Sequence, residues 1–109
     1  MNRTRYRYEF EPEVSLREVE ESVALAILAA EGVHGEAQVR LDAGYAIDEP
    51  ARACLIDAST AVGETIARVF TGFLRKEFGE DAFRVERVAA DDRPLRRSDG
   101  ASRPEGVRR

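Results

Sequence analysis

The chain has 109 residues, of which 43% are hydrophobic, and its formal net charge is −4. This length and composition are typical of one globular domain and exclude a wholly disordered chain. No apolar run approaches the roughly 20 residues of a membrane-spanning helix, so we expect no membrane contact. The single cysteine, Cys54, excludes an intramolecular disulfide and fits a reducing compartment, so we expect a cytoplasmic protein.

Charge is unevenly distributed along the chain. Residues 1–90 contain eleven Arg and Lys against seventeen Asp and Glu, a net charge of −6, whereas residues 91–109 have a net charge of +2. The second segment is also rich in Pro, Gly, Ser and Arg and poor in apolar residues. This change of composition predicts a folded domain over 1–90 and a flexible tail over 91–109.

A strand and a helix are the first predicted elements. In "RTRYRYEFE", Tyr6, Tyr8 and Phe10 alternate with charged residues, which predicts a half-buried strand with the aromatic side chains inward. "VSLREVEESVALAILAAEGVHG" then has the 3.6-residue period of an amphipathic helix. Its first turn contains a capping box, "SLRE", and we expect the helix to end at Gly32.

Alternation returns in "AQVRLDAGYAID", where Val39 and Leu41 share a parity with Tyr45 and Ile47. This pattern predicts a strand over residues 37–48. The turn "DEPA" and the apolar run "RACLIDAS" follow, so residues 37–58 are interpreted as a β-hairpin.

The period of a helix reappears from Thr60 to Phe78, and Gly79 is placed to end that helix. Gly72 lies inside it at a cost of roughly 1 kcal/mol relative to alanine, so we expect close packing at that position. "AFRVERV" is the last predicted strand. The order β-α-β-β-α-β predicts an α+β protein with a ferredoxin-like arrangement, in which two helices cover one face of a four-stranded antiparallel sheet.

"DASTAVG", at the start of the second predicted helix, has two interpretations. Unpaired amide groups at a helix start bind anions, but a phosphate loop would contain more glycines and a lysine. Asp57 would also compete with an anionic ligand. Ser59 or Thr60 as an N-cap explains the segment without a ligand, and we favour the cap.

No catalytic, metal-binding or cofactor-binding set is predicted. One histidine and one cysteine cannot form a zinc site within a chain. Cys54 and His34 could form a nucleophile pair, but Cys54 lies in an apolar strand and is more typical of a small buried hydrophobe. The many carboxylates lie on predicted helix faces and beside turns, where they are usually solvated.

The predicted sheet face opposite the helices carries arginines that are candidates for binding, namely Arg5, Arg7, Arg40 and Arg84. They would support a nucleic-acid-binding module together with the tail. RNA-recognition domains, however, stack bases on aromatic residues of this face, and "RACLIDAS" contains none. The acidic body also opposes binding, so we expect weak affinity for nucleic acid at most.

Association with protein is therefore the favoured function, either as a homodimer or as an accessory subunit. The predicted strand over residues 37–48 would lie at a sheet edge, where unpaired backbone groups can bind another strand. Its polar residues Arg40, Asp42 and Asp48 are the candidate interface. A small enzyme of ferredoxin-like fold is a third hypothesis, which no residue set recommends.

Overall fold

The structure, a computed structural model, describes residues 4–89 and the backbone of residues 96–97. The first half comprises β1 (Thr4–Phe10), α1 (Leu16–His34), α2 (Glu36–Asp42), β2 (Gly44–Asp48) and β3 (Ala53–Asp57). The second half comprises α3 (Ala61–Phe78), a 3-10 turn (Glu80–Ala82), β4 (Phe83–Ala89) and β5 (Arg96–Arg97). Apart from the two residues of β5, the predicted tail over 91–109 lies outside the described part of the chain.

Four strands form an antiparallel sheet in the order β4-β1-β3-β2, and the two residues of β5 pair with the outer side of β2. β1 is central. It pairs with β3 through residues 5–9 and with β4 along its whole length, from Thr4 opposite Ala89 to Phe10 opposite Phe83. The α+β class and the four-stranded antiparallel sheet are confirmed, but residues 4–89 contain three α-helices where two were predicted.

The predicted strand over residues 37–48 is wrong in its first half, because residues 36–42 form α2. Glu, Ala, Gln, Arg and Leu are good helix formers, and two contacts at i,i+4 spacing support the helix. Arg40 Nη2 lies 3.1 Å from Glu36 Oε2, and Gln38 Nε2 donates to Asp42 Oδ2 at 2.8 Å. Leu41, expected inward, is 71% exposed. The hairpin itself consists of β2 and β3.

The core lies between the sheet and the two long helices. Tyr8 is 1% exposed and Phe10 is buried, which confirms the inward placement of the β1 aromatic residues. The Tyr8 ring meets Phe70 of α3 edge to face, with 4.8 Å between the centroids. The apolar positions of both helices pack onto the same side of the sheet, namely Val19, Val23, Ala26, Ala30, Val62, Ile66, Phe70 and Leu74.

Helix ends follow the capping residues, with one exception. The backbone amide of Glu18 donates to Ser15 Oγ at 3.3 Å, as the predicted capping box requires. The predicted end at Gly32 is wrong, because α1 continues to His34 and ends at Gly35. Gly35 has φ of +89°, a conformation that favours glycine, and it lets the chain turn from α1 into α2.

Among residues 4–89, no helix combines the length and the apolar character that a membrane crossing requires.

Candidate functional site

A trough of about 580 Å³ runs between α3 and the helix-facing side of β1 and β4. Tyr6 and Tyr8 contribute from β1, and Val85 and Arg87 contribute from β4. The α3 wall is formed by residues that recur at helical spacing on one face over about three turns, namely Glu64, Ala67, Arg68, Thr71, Gly72 and Arg75. The size is typical of a small-molecule pocket, and its lining mixes charged, hydroxyl and apolar groups.

Three guanidinium groups line the trough. Arg75 forms an ion pair with Glu80, whereas Arg68 forms none with any residue of the described chain. Arg87 Nη2 donates to the hydroxyl oxygen of Tyr6 at 3.0 Å, and its guanidinium carbon lies 5.4 Å from the centre of that ring. This hydrogen bond raises the pKa of Arg87. The trough therefore concentrates positive charge on an acidic domain, and Glu64 is the single carboxylate among the described residues that line it.

The hydroxyl groups on the floor of the trough bond to one another. Thr71 Oγ1 donates to the backbone oxygen of Ala67 at 2.7 Å, and the Tyr8 hydroxyl lies 2.9 Å from Thr71 Oγ1 and 3.3 Å from the same backbone oxygen. Burial raises the pKa of Tyr8 to about 12, which keeps the phenol neutral at physiological pH. The floor is thus uncharged, and the charge lies at the rim.

Gly72 leaves open space in the α3 wall of the trough. The expectation of close packing there is wrong, because a β-carbon at Gly72 would have no atom within 4 Å. Close packing occurs instead at Gly63. Gly72 has arginines on either side of it on the same face of α3, Arg68 at i−4 and Arg75 at i+3. The missing side chain leaves room between them.

β4 forms one edge of the sheet, and within the described chain only its β1 side is paired. Its side chains alternate between the two sheet faces. Val85 lies on the trough side and is exposed, whereas Arg84 and Glu86 lie on the opposite face. Arg84 Nη2 donates to Glu9 Oε1 at 2.8 Å, and Glu86 has no ionic partner among residues 4–89.

The four arginines predicted to share the open sheet face do not form one surface. Arg5 is 8% exposed and stands opposite the buried Asp57 of β3. Arg7 forms an ion pair with Glu9 in the same strand. Only Arg84 is exposed on this face, since Arg40 lies on α2. No aromatic residue of β1–β4 lies on the face, as expected from the inward tyrosines.

The predicted edge strand over residues 37–48, on which the candidate interface was placed, is wrong for two of its three interface residues. Arg40 and Asp42 belong to a helix and cannot pair as an edge strand. Asp48 does lie on a strand, β2, and accepts from the backbone amide of Ala51 at 3.3 Å within the turn that follows. The outer side of β2 is partly paired, because Gly44 and Tyr45 stand opposite β5. The free edge of the described sheet is therefore β4.

The segment "DASTAVG" is a cap, as predicted. Thr60 Oγ1 accepts from the backbone amide of Gly63 at 3.0 Å and is the N-cap of α3. The backbone amide and the hydroxyl of Ser59 both donate to Asp57 Oδ1, at 2.9 and 2.6 Å. These groups stabilise one another and require no ligand.

Cys54 packs in the core, and His34 contacts a threonine of a neighbouring helix. Cys54 is buried in the core, and this burial raises the pKa of its thiol far above the ordinary range, which makes it a poor nucleophile. His34, at the end of α1, has Nε2 2.8 Å from Thr65 Oγ1 on α3. Residues 4–89 bring together no group of three or more side chains suited to a metal ion.

Comparison of the chain with models of protein families, with curated proteins and with solved structures found no match.

Proposed function

We propose that the protein is a non-catalytic association module that forms a homodimer through β4. The observation that carries the proposal is the outer edge of this seven-residue strand, which no other described strand pairs with and whose charges are complementary to those of a second copy. An exposed edge strand offers a row of backbone donors and acceptors, and two such edges can pair to form a continuous sheet.

The charges of β4 favour one antiparallel register. In a pair centred on Val85, Arg84 stands opposite Glu86 of the second copy, and the two-fold axis repeats this contact. The two Val85 side chains then meet on the trough side. Registers centred on Arg84, Glu86 or Arg87 place like charges opposite each other, and one centred on Val88 overlaps only the end of the strand.

Each cross-strand ion pair stabilises the paired strands by roughly 0.2–1 kcal/mol. Because this is small, the two symmetric ion pairs determine which register forms but supply little of the dimer's binding free energy. Backbone hydrogen bonds between the two strands and the burial of Val85 supply the rest of the binding free energy. Glu86 is free to form the contact, because it has no ionic partner among residues 4–89. Arg84 already lies at the surface beside Glu9 and can be shared between the two carboxylates.

The fold is proposed to be a ferredoxin-like variant. The order β4-β1-β3-β2 and the position of α1 and α3 on one face of the sheet support this assignment. In this interpretation α2 is an insertion between α1 and β2, and β5 extends the edge that would otherwise be open. The pairing at β5 leaves β4 as the edge available to a partner.

The test is the mass of the protein in solution, measured by light scattering over a concentration series. Glu86→Arg places arginines opposite one another in the proposed register, so we expect the dissociation constant to rise roughly tenfold or more. The double variant Arg84→Glu/Glu86→Arg reverses both charges and should restore the dimer. Glu77→Arg, an equal change of charge at an exposed position of α3, is the matched control.

A wild-type monomer at all concentrations would contradict homodimerisation. If the monomer instead co-purified with a defined protein, and Glu86→Arg weakened that complex, β4 would be the binding edge of an accessory subunit. A monomer that bound single-stranded RNA or DNA below micromolar concentration, with strong salt dependence, would favour the nucleic-acid-binding alternative.

A further inference from the structure

We propose that the trough between α3 and β4 binds a phosphomonoester of a small organic molecule, with Arg68 and Arg87 as its anion-binding residues. All of the lining residues come from one chain, so the proposal does not depend on pairing through β4.

Charge identifies the ligand as an anion. Of the three guanidinium groups that residues 4–89 contribute to the trough, only that of Arg75 has a carboxylate partner in this range, Glu80. The charges of Arg68 and Arg87 are not neutralised by an ion pair with any residue in the range 4–89. Guanidinium groups form paired, charge-assisted hydrogen bonds with phosphate oxygens, and two of them on facing elements can bind one dianion from two sides.

Tyr6 adds a third donor. Its hydroxyl oxygen accepts from Arg87, so the phenolic proton remains available to a bound oxygen atom. The same contact orients the guanidinium of Arg87, because this group both donates to Tyr6 and lies over its ring. A phosphoryl group, with several acceptor oxygens around one centre, matches donors that converge from α3, β1 and β4.

The volume and the apolar lining indicate an ester rather than the free ion. At about 580 Å³ the trough is much larger than inorganic phosphate requires, and it lies within the usual range for small organic ligands. Ala67, Val85 and the ring of Tyr6 supply apolar surface beside the arginines. Gly72 leaves space along the α3 wall, since a β-carbon at this position would have no atom within 4 Å.

Titration calorimetry at constant ionic strength tests the proposal, with phenyl phosphate as the probe and inorganic phosphate and phenol as comparisons. We expect saturable binding of phenyl phosphate that is tighter than that of either comparison. Arg68→Gln and Arg87→Gln should each weaken it about tenfold or more, because each removes a charged hydrogen-bond partner. Gly72→Leu should abolish binding by filling the trough, and thermal unfolding should show that each variant is folded.

Arg17→Gln is the matched control, because Arg17 is an exposed arginine of α1 that pairs with Glu21 and lines neither the trough nor the β4 edge. It should leave the affinity for phenyl phosphate unchanged. The proposal is overturned if wild type binds no phenyl phosphate in the millimolar range, if Arg17→Gln weakens binding as much as Arg68→Gln, or if inorganic phosphate binds equally well. The mass of Arg68→Gln, measured in the same samples, should equal that of wild type, so failure here is distinguishable from failure of the β4 dimer.

Discussion

Gly63 of α3 packs directly against the backbone of Asp57 at the end of β3: a β-carbon on Gly63 would lie 1.9 Å from the Asp57 carbonyl oxygen. The first turn of α3 therefore lies against the strand at a distance that only glycine permits. Backbone atoms cannot move aside as a flexible side chain can, so this contact sets the distance between the start of α3 and the sheet.

Substitution of two glycines of α3 should change stability in opposite directions. Gly63→Ala should destabilise the fold by at least about 1–3 kcal/mol, because the added methyl group overlaps the Asp57 backbone. Gly72→Ala should be neutral or stabilise by up to about 1 kcal/mol, because its β-carbon meets nothing and alanine favours the helix. Urea unfolding of both variants measures the difference, and equal effects would contradict the contrast between the two sites.

Tyr8 should contribute to stability mainly through its buried ring. Tyr8→Ala removes the edge-to-face contact with Phe70 and should cost about 3–5 kcal/mol. Tyr8→Phe keeps the ring and loses the hydroxyl contact with Thr71, so its cost should be about 0.5–1.5 kcal/mol. A Tyr8→Phe variant as unstable as Tyr8→Ala, by urea unfolding, would mean that the hydroxyl network dominates.

Tyr8 should also make the fold sensitive to alkaline pH. Its pKa is raised from 10.0 to about 12 in the folded state, so the folded protein retains a proton that the unfolded chain loses first. The corresponding stabilisation is complete below pH 10 and is lost as the pH rises towards 12. Between these values, wild type should lose more free energy of unfolding than Tyr8→Phe does. Parallel pH profiles for the two proteins would contradict this assignment.

The Thr60 cap should be replaceable only by a residue whose side-chain oxygen can accept from the Gly63 amide. Thr60→Ala leaves the Gly63 amide without its side-chain acceptor and should cost about 1–2 kcal/mol. Thr60→Ser should cost far less. Chemical unfolding measures both, and protection of wild type by added phosphate that Thr60→Ala loses would revive an anion site at this helix start.

The sequence was sufficient to predict elements with a strong period. The apolar residues Val62, Ile66 and Phe70 recur every four positions, so a helix can bury all of them on one face, as α3 does. The alternation of Tyr8 and Phe10 with charged residues likewise predicted β1 and its buried face correctly. The segment 36–42 is too short for its hydrophobic period to distinguish a helix from a strand. Val39 and Leu41 fit an alternating strand, yet only Val39 is buried, and helix propensity with i,i+4 contacts decides the outcome.

The candidate sites could be predicted less well, because they combine residues that are distant along the chain. The trough brings Tyr6, Arg68 and Arg87 together through the pairing of β1 with β4 and the packing of α3, which no local pattern contains. One signal was present. Gly72 between Arg68 and Arg75 on a single helix face is unsuited to close packing, since two charged side chains flank it. The sequence analysis placed an edge strand at residues 37–48 because of their alternation, whereas the structure has a helix at residues 36–42 and places β4 at one edge of the sheet.

The central position of β1 has a consequence for synthesis on the ribosome. β1 is made first, yet it pairs on one side with β3, residues 53–57, and on the other with β4, residues 83–89. At about 5–20 residues per second, the β4 side of a nascent β1–β3 pair stays open for a few seconds after β3 is made. A slow stretch of translation between β3 and β4 should therefore lower the yield of soluble protein, because an unpaired strand edge promotes aggregation.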